Sequence, residues 1–335
     1  MNKHRFLLFP LVLLACGCAN KTSTSNIKSD DSLISESSSS ESEFGELIID
    51  DVDFLYYELG PQKLNINFTN KQYEEAIEYR FQSTYIKIEE GYAIPLKKGQ
   101  TVTYVTATTS HHETQFKITM PNINNERYNR AVSYANAIKS KINDNTTVFL
   151  GDSFFDVDHF WKNFYTDVGG NAYICGISSS TIEEWILYSS MILKDLSPKF
   201  LVFHIGTNDF WDLKRSCTTA KKSFKFMMDN LHRICPDTKI IICSVENRAN
   251  KMPQTNDMNA TIAFLKEYDT FVQEYVIDNK SYMGYINSIA HFCNEDWTLK
   301  TDLTKDGIHP KNTEYSFYID EVIKFGADIS NNMAS

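Results

Sequence analysis

Between residues 44 and 120, apolar and polar positions alternate with period two in several short runs. Leu64-Asn65-Ile66-Asn67-Phe68 and Tyr85-Ile86-Lys87-Ile88-Glu89 are two of them, and residues 100–105 and 116–120 continue the pattern. Alternation at that period sends successive side chains to opposite faces, so each run predicts a half-buried β-strand. Gly60-Pro61, Glu90-Gly91 and Lys98-Gly99 separate the runs with residues that suit turns. Residues 44–121 are therefore expected to form a small all-β domain, with residues 71–78 as a helix or turn interrupting it. His111 and His112 are adjacent and would diverge if on a strand, so they are assigned to a solvated hairpin loop rather than a metal site.

The period changes at about residue 127. Tyr128, Val132, Ala135 and Ile138 recur at close to helical spacing and predict an amphipathic helix over 127–142. Five strand-like runs follow, ending near Leu150, Gly176, Ile205, Val245 and Ile289, with helical stretches at about 181–193, 218–235, 257–278 and 313–329. Phe200-Leu201-Val202-Phe203 and Ile240-Ile241-Ile242-Cys243 are apolar without a break, as strands buried on both faces must be. Strands alternating with helices predict a parallel sheet covered on both sides. The expected fold class is α/β, a flavodoxin-like three-layer α/β/α sandwich over residues 126–330, preceded by the small all-β domain.

Ahead of residue 44 the chain has no such pattern. Lys3, His4 and Arg5 precede an apolar stretch, 6–15, that is too short to span a bilayer but suits a secretory leader. The stretch ends in Leu13-Leu14-Ala15-Cys16-Gly17-Cys18, which resembles a bacterial lipobox. Residues 1–18 are thus expected to be a lipoprotein signal, with Cys16, or else Cys18, as the lipidated residue and plain secretion as the alternative. Residues 19–43 are rich in Ser, Thr, Asp and Glu, a composition that cannot bury enough apolar surface to offset ordering, and are expected to be a tether.

Composition adds limits. The net charge of −10 over 335 residues argues against a nucleic-acid partner. Beyond the leader, Cys175, Cys217, Cys235, Cys243 and Cys293 are odd in number and lack zinc-site spacing, so neither a metal nor a cofactor is expected. The oligomeric state is not legible.

Candidate chemistry lies at the ends of the apolar runs or just ahead of a helix. Thr147-Val148-Phe149-Leu150 leads into Gly151-Asp152-Ser153, placing a hydroxyl where open α/β sheets gather their reactive groups. Ile174-Cys175-Gly176-Ile177-Ser178, Gly206-Thr207-Asn208-Asp209 and Asp306-Gly307-Ile308-His309-Pro310 follow in order. Together they offer a nucleophile, two oxyanion donors and an Asp-His pair, the equipment of acyl transfer. The nucleophile motif of α/β-hydrolases, the His-Glu-x-x-His motif and the phosphate-binding loop are absent from the sequence.

These four blocks resemble those of the SGNH (GDSL-type) esterase and lipase superfamily, over roughly residues 126–329. The resemblance implies Ser153 as nucleophile, His309 as general base and Asp306 as its orienting carboxylate. It implies an oxyanion hole made by the Ser153 N–H, Gly176 and Asn208. Phe154 stands where the family name has leucine. Residues 85–120 also resemble the second half of a bacterial Ig-like domain of group 2. His159, His204, His232 and His291 are the competing bases; His291 is the strongest of them. Phe154, Phe155, Phe210, Trp211 and the loop 246–256 are candidates to line the acyl pocket.

The function expected is a serine esterase that removes short acyl groups, acetyl above all, from carbohydrate or cell-envelope polysaccharide. It would be lipid-anchored on the extracellular face of a bacterial membrane. Alternatives are an acyltransferase, a lipid-directed esterase, or an inactive surface protein that only binds.

Overall fold

The computed structural model describes residues 44–249 and 258–329. Cys16, Cys18, the tether and residues 250–256 of the candidate pocket loop lie outside the described residues.

The first region holds eight strands: β1 (Leu47–Ile49), β2 (Gln62–Lys63), β3 (Ile66–Phe68), β4 (Glu78–Arg80), β5 (Ile86–Glu89), β6 (Tyr92–Pro95), β7 (Thr101–Thr108) and β8 (Glu113–Met120). They pair antiparallel into three small sheets, β1-β3, β2-β6-β5 and β4-β7-β8. Along β7, Thr103, Val105 and Ala107 are buried while Val102 and Tyr104 face water, the period-two pattern of a one-sided strand. Val105 and Ala107 join Leu47, Phe68, Ile86, Phe116 and Ile118 in one apolar cluster. Most strands here are two to four residues long, and the three small sheets do not by themselves define an Ig-like sandwich.

The second region alternates α1 (Asn125–Ile138), β9 (Thr147–Gly151), α2 (Phe164–Asp167), β10 (Ala172–Gly176), α3 (Ile182–Leu193), β11 (Phe200–His204), α4 (Thr207–Trp211), α5 (Cys217–Ile234), β12 (Lys239–Cys243), α6 (Met258–Asp278), β13 (Met283–Ile286), α7 (Ser288–Phe292) and α8 (Tyr315–Lys324). The five strands form one parallel sheet in the order β10-β9-β11-β12-β13, the flavodoxin-like arrangement. Alternate residues serve opposite faces. Val148, Leu150, Leu201, Phe203, Ile240 and Ile242 pack with α1, α3, α5 and α6. Phe149, Ile174, Val202 and Ile241 pack with α2, α7 and α8. Burial on both faces accounts for the unbroken apolar runs.

The chain leaves β9 for β10 on one side and returns to β11 on the other. The carboxyl end of β9 is therefore the topological switch point, where an open sheet parts into a crevice. The first region is fastened to this sandwich by Phe54, whose ring lies 4.9 Å from Phe226, and by Tyr56, whose Oη donates to the Glu183 carbonyl at 2.6 Å. Lys222 pairs with Asp53 across the same contact. Among the described residues, no helix is long and apolar enough to cross a membrane.

Candidate active site

β9 ends at Gly151, where φ is +136° and a Cβ would fall 1.9 Å from the His204 carbonyl oxygen. Only glycine lets the chain turn there while β9 and β11 stay in register. Asp152 then shapes the turn. Its N–H donates to the His204 carbonyl at 3.0 Å, and its Oδ1 accepts the Phe154 N–H at 3.1 Å, capping a short 3₁₀ turn over Ser153–Phe155. Ser153 is left at the switch point, 8% exposed.

The loop before α8 reaches the same place. Ser153 Oγ lies 2.8 Å from His309 Nε2, and His309 Nδ1 lies 2.7 Å from Asp306 Oδ2. The other Asp306 oxygen accepts the N–H groups of Ile308 and His309 at 3.0 and 2.8 Å, so one carboxylate fixes both the loop and the ring. The Lys305 N–H donates to the His309 carbonyl at 3.0 Å and the Ala249 N–H to the Gly307 carbonyl at 2.9 Å, tying this loop to the segment after β12.

Burial would raise the Asp306 carboxyl, but the hydrogen bonds from His309 and Ile308 outweigh it and hold it below its ordinary range. Burial lowers the His309 imidazole, and the Asp306 charge does not fully offset this. A neutral ring whose Nδ1 donates to a carboxylate presents Nε2 as an acceptor, the state a general base requires. Phe160 stacks on this ring with centroids 3.6 Å apart and carries Lys305 Nζ at 4.2 Å on its own face.

Asn208 sits on α4 with its Nδ2 donating to the Ser180 carbonyl at 2.8 Å. Its Oδ1 accepts from Arg248 Nη2 at 3.3 Å, which fixes the amide orientation and leaves a second Nδ2 hydrogen available. Arg248 is 5% exposed and lies 5.3 Å from the Trp211 ring centroid.

Gly176 has a packing reason to be glycine. A Cβ there would fall 2.0 Å from the Phe155 carbonyl oxygen, and its own carbonyl accepts from Tyr134 Oη at 3.1 Å. Three residues on, Ser179 occupies the third position of a turn closed by the Ser180 N–H on the Ile177 carbonyl at 3.1 Å. Its φ of +62° belongs to the region that favours glycine, and its N–H has no hydrogen-bond partner among the described residues. Asp156 links this turn to the Ser153 loop, accepting the Ser178 N–H at 3.2 Å and pairing with Arg130 of α1 at 2.8 Å.

The aromatic candidates divide. Phe154 is 2% exposed and stacks on His204 with centroids 3.8 Å apart; Phe155 and Phe210 are fully buried, Phe210 against Phe264 and Tyr268. These three are core residues rather than an open pocket wall. Trp211 is covered by Arg248 and is 4% exposed. Phe160, which was not among the candidates, stacks directly on the His309 ring.

The rival histidines are engaged elsewhere. His159 Nδ1 is 3.0 Å from Asp156, His291 stacks on Phe317 and bonds Glu314 at 3.2 Å, and His232 stacks on Tyr282. His204 is different. Fully buried, it lies 3.1 Å from Asp152 Oδ1 and 2.8 Å from Glu246 Oε2, and Tyr318 Oη donates to Glu246 Oε1 at 3.1 Å. Burial opposes its charge, but Glu246 and Asp152 outweigh burial and push its pKa up to about 10. An imidazolium thus ties the Ser153 turn to α8. Asp152, His204 and Glu246 all fall at or just past strand ends, a signal that becomes readable only once strand order is known.

No family model matches the chain, and no curated protein matches it. Similar solved structures include a GDSL-like lipase from Bacteroides thetaiotaomicron, 22% identical, with a TM-score of 0.48 over 59% of this chain and 98% of that one. A carbohydrate esterase family 3 protein from Talaromyces cellulolyticus is 14% identical, with a TM-score of 0.39 over 55% of this chain and 100% of that one. A psychrotrophic esterase from Pseudoalteromonas is 15% identical, with a TM-score of 0.40 over 54% and 98%.

Proposed function

We propose that this protein is an SGNH-type serine esterase that removes short acyl groups, acetyl above all, from carbohydrate. One observation carries the reading: the continuous relay from Ser153 Oγ through His309 to Asp306, at 2.8 and 2.7 Å. In the reaction, Ser153 Oγ attacks the ester carbonyl while His309 Nε2 takes its proton. The tetrahedral intermediate collapses, His309 returns the proton to the departing alkoxide, and the alcohol leaves an acyl-Ser153. Water, deprotonated by His309, attacks that acyl carbon; the carboxylic acid departs and Ser153 regains its proton.

The intermediate's oxyanion needs fixed donors. The Ser153 N–H and the second Nδ2 hydrogen of Asn208 are two of them. For the third we assign the Ser179 N–H in place of Gly176, because the Ser179 donor is unpaired and its turn carries the carbonyl that holds Asn208. A structure of the fluorophosphonate adduct tests this: the phosphoryl oxygen should lie within hydrogen-bonding distance of the Ser179 nitrogen, and contact with the Gly176 nitrogen instead would restore the earlier assignment. The low exposure of Ser153 and the Phe160 ring against the base favour a short acyl group.

Ser153→Ala should lower p-nitrophenyl acetate hydrolysis by about 10⁴-fold or more while leaving the circular dichroism unchanged. Near-normal hydrolysis in that variant would remove Ser153 from the mechanism. Rates across acyl lengths, and acetate release from acetylated glycans, then separate deacetylation from lipid hydrolysis. With Cys16 or Cys18 lipidated, the enzyme would work from the outer face of a membrane, with residues 19–43 between the anchor and the folded chain. Incorporation of labelled palmitate supports that placement, and a fully soluble secreted product counts against it.

A further inference from the structure

A cleft of about 590 Å3 opens where the β region meets α1, and neither Ser153 nor His309 belongs to it. Its volume falls in the range of small-ligand sites, and junctions between structural regions are where such sites gather. Tyr57 supplies ring surface, 45% exposed although it is a large aromatic residue, while the Tyr128 ring is covered by Lys98 Nζ at 4.4 Å. Gln100, Asn122, Asn125 and Asn129 supply four amides, all exposed and none hydrogen-bonded through its side chain among the described residues.

The charge is already spent. Lys98 Nζ lies 2.7 Å from Glu58 Oε1 and 3.0 Å from Tyr128 Oη, so the one lysine in the cleft is neutralised in place. Nor is the start of α1 an open anion site, since the Asn124 side chain accepts the N–H groups of Glu126 and Arg127 and Glu126 stands in the first turn. What remains is amides, each both donor and acceptor, beside the exposed Tyr57 ring. That combination suits a ligand with many hydroxyls, apolar C–H faces and no net charge.

We propose that the cleft binds a neutral glycan segment of the polymer that Ser153 deacylates, an inference that rests on the esterase reading. α1 joins the two places. Arg130, five residues and about 7.5 Å of helix axis beyond Asn125, pairs with Asp156 of the loop that follows Ser153. A polymer held at the start of α1 is held beside the rim of the reacting site, which raises its local concentration there.

The test compares p-nitrophenyl acetate, O-acetylated glucomannan, which is neutral, and O-acetylated pectin, which carries carboxylates. Tyr57→Ala and the double variant Asn125→Ala/Asn129→Ala are assayed beside the wild type, with thermal melts as a folding control. The ratio of kcat/KM on glucomannan to that on the small ester should fall about 2- to 12-fold in Tyr57→Ala, through KM. Calorimetry on Ser153→Ala protein should detect deacetylated glucomannan oligosaccharides and lose the signal when Tyr57→Ala is added. An unchanged ratio and unchanged binding in both variants would overturn the proposal, as would tighter binding of pectin than of glucomannan. Absence of hydrolysis on every ester by the wild type would instead strike the esterase reading, because calorimetry scores the cleft without turnover.

Discussion

His309 and His204 both have two engaged ring nitrogens and both touch Phe154, with ring centroids 5.5 and 3.8 Å from it, yet their pKa values shift in opposite directions. His309 faces one carboxylate and one hydroxyl, and burial wins: its pKa falls below the ordinary 6.5. His204 faces two carboxylates, and they win over complete burial, raising it to about 10. The ring is the same in both; the number of neighbouring charges decides whether it can take a proton or must keep one. A base needs the first environment. A clamp that holds the nucleophile turn against α8 needs the second.

The comparison can be broken most severely at His309. His309→Ala should lower kcat by about 10⁴-fold, since Ser153 loses its proton acceptor, while the fold survives. A modest loss would mean that the wrong histidine has been placed in the relay. His204→Leu should act the other way, on stability first. It leaves Asp152 and Glu246 buried without their cation, at an expected cost of about 3–5 kcal/mol in urea denaturation. Adding Glu246→Gln should recover part of that loss. Because the folded pKa of His204 is raised, its stabilisation is complete below about pH 6.5 and declines as pH rises towards about 10. A denaturation midpoint that stays level across this window would contradict a buried imidazolium.

Arg248→Met should have a smaller effect, about tenfold in kcat with little change in KM, because it frees the Asn208 amide without removing it. A loss confined to KM would place Arg248 in substrate binding instead. The subtlest difference lies in the pH profile. The acid limb of kcat/KM reports protonation of His309 in the free enzyme and should fall below pH 6.5. A limb at or above that value would mean that Asp306 outweighs burial.

Much of this architecture was legible from residues alone. The unbroken apolar runs at 200–203 and 240–243 read as strands buried on both faces, and they are β11 and β12. Three blocks at strand ends and a fourth ahead of the last helix mark out Ser153, Gly176, Asn208, Asp306 and His309, because a serine after Gly-Asp and a histidine three residues after an aspartate are local patterns. The structure brings Ser153, His309 and Asp306 into one relay although 156 residues separate the serine from the histidine.

Local pattern does not tell which strands are neighbours. His204 reads as one more residue of a buried strand until β9 and β12 are seen to flank β11, which sets Asp152 and Glu246 on either side of it. Phe154 and Phe210 look like pocket residues beside reactive ones, but packing turned both into the core. Gly176 looks like an oxyanion glycine because glycine permits close approach, and the close approach proves to be that of the Phe155 backbone. The periodicity of apolar residues determined the elements, since burial on a strand or helix face repeats with the backbone. Which groups share a proton, a charge or a cavity was decided only when the sheet order and the packing of its helices brought distant residues together.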